Sequence, residues 1–74
     1  MNSVKMLSPQ QTIIMQYLVN GLTVKQIANQ MSLARVTVRK HVNKAKKKVG
    51  AQTHDQAIAI VVARGDVTVN IDED

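Results

Sequence analysis

The chain has 74 residues and a formal net charge of +5, enough for one domain with one modest core and too few for a separate sensor or catalytic domain. It contains no Cys, which excludes disulfides and thiolate metal sites, and two separated histidines, His41 and His54, do not make a tetrahedral site. All five acids (Asp55, Asp66, Asp72, Glu73, Asp74) follow residue 54 and nine of the ten Lys and Arg precede it, so most of the surface lacks counter-charge and favours a polyanion such as nucleic acid.

Taken in chain order, Ser8-Pro9 with Gln11 marks the first helix start: the hydroxyl caps, Pro suits the first turn and Gln reaches back in a capping box. This helix is expected over about residues 9–20, with Ile13, Ile14, Tyr17 and Leu18 on its inward face and Gly21 ending it in the left-handed conformation. Leu22 then closes the turn against the core. Thr23 and Gln26 repeat the cap and box for a short second helix over about residues 24–30, buried through Ile27, Ala28 and Met31.

Only "MSLA" separates it from the next periodic segment. So short a link joins two crossing helices in a helix-turn-helix. In the third segment Val38, Val42, Ala45 and Val49 fall at i, i+4, i+7 and i+11, one face of a helix. Arg35, Arg39, Lys40, Asn43, Lys44, Lys46 and Lys47 occupy much of the remainder, and Gly50 ends the helix. β-branched valines are middling helix formers, so this helix relies on tertiary packing.

Thr53 with Gln56 makes a third capping box for a fourth helix that runs to about residue 64 and stops at Gly65. Its body, "AIAIVVA", is apolar on nearly every side, which calls for a second packing partner. The tail "DVTVNIDED" reads as a short extended segment or a frayed chain end. The domain organisation expected is an N-terminal arm over 1–7, the helical domain over 8–65 and an acidic tail over 66–74.

Several function classes fall away. No acid precedes Asp55 and no nucleophile–base or metal constellation exists, so no enzyme, cofactor or small-molecule substrate is expected. The longest apolar run, residues 57–63, is far short of the roughly 20 residues of a membrane span, the N-terminus lacks a signal-peptide core, and the basic helix lacks Trp, Phe or Leu anchors for a membrane surface. Tyr17 is the lone aromatic, which disfavours single-stranded binding by stacking. A cytoplasmic, nucleoid-associated protein is expected.

Leu7-Ser8-Pro9, Gly21-Leu22-Thr23 before "KQIA", "TVRKHV" followed eight residues later by Gly50, and "DQAIAIVVARG" together resemble the LuxR/GerE-type helix-turn-helix family over about residues 6–65. The resemblance implies an all-α, four-helix domain, in which the third helix enters the major groove of double-stranded DNA and the fourth often pairs two subunits. The chain resembles the bare module, as in stand-alone family members, so its control would come from its abundance or from a partner. Ala34 departs from the pattern, since the family usually has Ser or Thr there to cap the recognition helix. Gln10, Gln11 and Thr12 replace the usual acidic run of helix one, and His54 stands where Arg is common.

Arg39, Lys40 and Asn43 lie together on the polar face at positions that match the family's base-contacting ones. Arg suits guanine O6 and N7, and Asn suits adenine N6 and N7. Val36 is a candidate for a thymine methyl, with a place in the core as the alternative. Candidate phosphate contacts are Thr23, Lys25, Arg35, Thr37, His41, Lys44, Lys47 and Lys48, which would position the domain without specifying sequence. The surplus apolar face of helix four, Ala59, Ile60 and Ala63, is expected to form an isologous homodimer contact on an inverted-repeat operator in a bacterial or phage genome. Two alternatives remain open at this point: a domain like region four of a sigma factor, acting with RNA polymerase, and an interaction protein that pairs with a larger regulator.

Overall fold

Serine or threonine in extended backbone conformation starts three of the four helices of the computed structural model, which describes residues 6–69. The helices are α1 (Pro9–Val19), α2 (Val24–Met31), α3 (Arg35–Val49) and α4 (His54–Arg64), and no strand forms among the described residues. The capping box of α1 is complete: Gln11 N–H donates to Ser8 Oγ at 3.1 Å and Ser8 N–H to Gln11 Oε1 at 2.9 Å. That of α2 matches it, with Gln26 N–H to Thr23 Oγ1 at 3.2 Å and Thr23 N–H to Gln26 Oε1 at 2.8 Å.

The third expected box is only half made. Gln56 N–H donates to Thr53 Oγ1 at 3.0 Å, but the Gln56 side chain accepts from Gln52 N–H at 2.7 Å, one residue further back. α3 starts on Ala34, whose side chain supplies no acceptor; Thr37 and Val38 N–H both donate to the Ala34 carbonyl instead, at 3.0 and 3.1 Å.

The helix ends share one device. After α1, Gly21 N–H donates to Leu18 O and Leu22 N–H to Tyr17 O, both at 3.0 Å, the paired bonds of a Schellman turn. The left-handed residue this needs is Gly21 after α1 (φ 94°), Gly50 after α3 (φ 76°) and Gly65 after α4 (φ 82°). After α2 it is Ser32 (φ 56°), a non-glycine residue that accepts about 1–2 kcal/mol of strain. That turn fixes the angle between α2 and α3.

The core has two lobes joined along α3. Ile14, Ile27, Ala28, Val38 and Val42 form one, covered by Tyr17, Leu22, Val24, Met31 and Leu33; Met15, Ala45, Ala57, Val61 and Val67 form the other, covered by Leu7, Val49, Ile58 and Val62. The N-terminal half of α3 is therefore fixed by α1 and α2, and its C-terminal half by α1 and α4. Ala45 is fully buried, and its small side chain lets α1 and α4 both approach at the junction.

Two expectations are corrected. The inward face of α1 keeps Ile14, Tyr17 and Leu18 as expected but takes Met15 and Gln11 in place of Ile13; Ile13 is 47 % exposed while Met15 is fully buried. The apolar residues at 13, 14, 15, 17, 18 and 19 fit two helical stripes equally, and contact with three other helices selects the one containing Met15.

The tail also differs from a frayed end. Gly65 turns the chain back so that Val67 is buried in the second lobe, and the Gln16 side chain clasps Thr68, with Nε2 donating to its carbonyl at 2.7 Å and Oε1 accepting its N–H at 3.0 Å. Residues 70–74, the rest of the expected tail, and 1–5, most of the expected arm, lie outside the described residues.

Candidate nucleic-acid interface

A 15-residue helix with three buried positions, Val38, Val42 and Ala45, exposes most of its circumference, and at about 100° per residue its far side can be named. Val36, Lys40, Asn43 and Lys47 repeat the i, i+4, i+7, i+11 spacing of the seam two residues earlier, which places them opposite it. All four are exposed. Arg39 lies on one flank with Lys46, and Thr37 and Lys44 on the other; Arg39 and Lys44 are exposed, Thr37 and Lys46 half-buried. The structure thus brings the sequence-named base-contacting set to one exposed face, but it puts Lys47 at the centre and Arg39 at the edge.

The remaining candidates separate by environment. Thr23, Lys25 and Arg35 are exposed, whereas His41 and Lys48 are half-buried. Lys48 differs from the rest because its Nζ donates to the Met6 carbonyl at 3.2 Å, which draws the ammonium towards the segment ahead of α1. Val36 is 57 % exposed, so the alternative of a core role does not hold.

The electrostatics of this face are one-signed. Among the described residues the two acids are Asp55 at the start of α4 and Asp66 after it. Asp66 Oδ2 pairs with Arg64 Nε at 3.0 Å, on α4 and its turn rather than on α3. Nothing of opposite charge therefore sits on α2 or α3, and the positive field of Lys25, Arg35, Arg39, Lys40, Lys44 and Lys47 is left for a ligand.

Sequence reading passed over a shallow hollow on the outer side of α2, lined by Leu22, Gln26, Asn29 and Gln30. The adjacent exposed amides Asn29 and Gln30, directly after the buried Ile27-Ala28 pair, were the available signal. On α4, Ala57 and Val61 are fully buried and Ile58 and Val62 lie against the core, while Ala59 and Ala63 are exposed and Ile60 is partly so. Much of the apolar excess is thus used internally. What stays outside is a narrow strip of Gln56, Ala59, Ile60 and Ala63 at i, i+3, i+4 and i+7. No described helix is long and apolar enough to cross a membrane, and the described residues contain no cluster of His, Cys, Asp or Glu able to hold a metal ion.

The sequence model of the bacterial regulatory proteins of the luxR family, GerE, matches residues 5–61. The chain belongs to the luxR family. Its expected all-α, four-helix architecture is the one found. The luxR-family chain is 42% identical over 52 residues to the probable HTH-type transcriptional regulator GfsR of Streptomyces halstedii, a match over 70% of this chain and 21% of that protein.

Among solved structures, the transcription factor GerE superposes with a TM-score of 0.82 at 28% identity, covering 93% of this chain and 100% of GerE. The complex of Vibrio cholerae VqmA with ligand and DNA superposes with a TM-score of 0.80 at 26% identity, over 89% of this chain and 29% of VqmA. A further VqmA structure is described as a dimer in the absence of target DNA. This luxR-family chain thus spans 21% of GfsR. It is a helix-turn-helix DNA-binding domain of the transcription-regulator type, a family of regulators rather than of enzymes.

Proposed function

We propose that the protein is a sequence-specific transcription regulator whose α3 enters the major groove of double-stranded DNA and which binds as a homodimer through α4. The observation that carries this reading is the exposed face of Val36, Arg39, Lys40, Asn43 and Lys47 on a helix fixed from behind along its whole length, with no acid on α2 or α3. A major groove about 12 Å wide admits such a helix. Arg39 and Lys40 match guanine acceptors, and Asn43 matches the paired donor and acceptor of adenine.

Thr23, Lys25, Arg35, Thr37, His41 and Lys44 surround this face and, with Lys47 at its C-terminal end, supply phosphate contacts that set register. Lys48 is a weaker member of that set, because its ammonium already has the Met6 carbonyl. The strip of Ala59, Ile60 and Ala63 pairs with its symmetry copy; small side chains let two helices approach closely, and an isologous contact matches an inverted-repeat operator. The protein acts in the cytoplasm, on the nucleoid.

Selection of bound sequences from a random double-stranded pool tests the reading. An inverted repeat is expected, with Arg39→Ala or Asn43→Ala relaxing one position of each half-site at a cost of about 1–3 kcal/mol. Ile60→Asp is expected to leave a folded monomer that binds paired and single half-sites alike. Absence of any enriched sequence would remove the claim of specificity, and a monomeric wild-type protein on DNA would remove that of dimerisation.

A further inference from the structure

Val36 is the only large apolar side chain of α3 left in solvent, 57 % exposed where Val38 and Val42 are buried and Val49 packs on the second lobe. It serves neither the core nor helix propensity, since β-branched residues are poorer helix formers than the straight-chain ones that usually fill exposed positions. It stands in the first turn, opposite the buried seam, in line with Lys40, Asn43 and Lys47 and next to the exposed Ala34 and Arg35. Its surroundings carry positive charge and no acid. The occupant they select is a polyanion whose outline includes an apolar group.

Double-stranded DNA has one such group on its major-groove edge, the C5 methyl of thymine; the other exposed base edges are hydrogen-bond donors and acceptors. A valine in a helix holds a single χ1 rotamer about nine times in ten, so it offers its two methyls in a fixed direction and loses little freedom on contact. Val36 and Asn43 are seven residues apart, about 10 Å along the axis, so they reach different base pairs.

We infer that Val36 determines specificity by contacting the C5 methyl of a pyrimidine, thymine in the natural half-site, at a base pair other than the one read by Asn43. The inference rests on α3 entering the major groove and goes beyond it by naming the atom group read.

The test replaces each thymine of the selected operator, one at a time, with deoxyuridine, which removes the methyl and no hydrogen-bonding group. Wild-type protein is expected to lose about fourfold in affinity per half-site at one position, the worth of one buried methyl. At that position 5-methylcytosine is expected to bind about fourfold more tightly than cytosine. Val36→Ala, which thermal unfolding should show to be as stable as wild type because the site is exposed, is expected to bind the thymine and deoxyuridine operators equally.

Deoxyuridine tolerated at every position, or a deoxyuridine penalty that survives in Val36→Ala, overturns the inference. If Arg39→Ala also leaves base preference unchanged, the placement of α3 in the groove fails with it. If Arg39→Ala relaxes the preference as expected, only the role of Val36 fails.

Discussion

Ala34→Ser tests whether the helix starts of this domain are understood. Ala34 already has the extended backbone of an N-cap residue, φ −72° and ψ 149°, and is exposed, so a hydroxyl can be added without strain or clash. In α1 and α2 the cap hydroxyl accepts from the N–H three residues on, at 3.1 and 3.2 Å. The corresponding group in α3, Thr37 N–H, is not orphaned, since it donates to the Ala34 carbonyl at 3.0 Å. The gain therefore belongs in the lower part of the usual range, about 0.5–1 kcal/mol, which raises Tm by roughly 2–8 °C in a domain of this size.

Thermal unfolding followed by circular dichroism at fixed protein concentration measures it, with Ser8→Ala, expected to lose about 1 kcal/mol, as the opposite control. Ala34→Asp separates stability from binding. A carboxylate at a helix N-terminus adds stability, but it also places a negative charge at the leading edge of the helix proposed to enter the groove, so Tm should rise while DNA affinity falls. Ala34→Ser melting no higher than wild type, with Ser8→Ala behaving as expected, would refute the reasoning.

The clasped segment after α4 should carry measurable stability. Val67→Ala, at a residue 5 % exposed, is expected to cost about 2 kcal/mol in urea unfolding, and Gln16→Ala, which loses both bonds to Thr68, about 1 kcal/mol; a frayed end would make both neutral. In a salt series, the slope of log K against log salt should fall by about 0.9 for Lys47→Ala but little for Lys48→Ala, and equal losses from the two would show that the Met6 contact does not hold the Lys48 ammonium back from phosphate.

Helix starts and stops were legible because their causes are local. Ser8 with Gln11, Thr23 with Gln26 and the three left-handed glycines each act within a few residues, so the chain declares them without knowing its fold. The seam of Val38, Val42 and Ala45, and hence the side of α3 left in solvent, could be read for the same reason: a charged helix with a single apolar stripe has one way to pack. Gln56 departed from its expected bond because an equally local competitor, Gln52 N–H, lay within reach.

By itself, then, the sequence determined four helices, their order, the basic face and the missing cap at Ala34. Where a helix was apolar over more than one stripe, only the tertiary structure could choose. It buried Met15 and exposed Ile13 on α1, and turned Ile58 and Val62 of α4 inward. The clasp of Gln16 on Thr68 and the pull of Met6 on Lys48 join residues 52 and 42 positions apart. Such pairings carry no periodic or local signal; they exist because the packed helices bring those groups within hydrogen-bond distance.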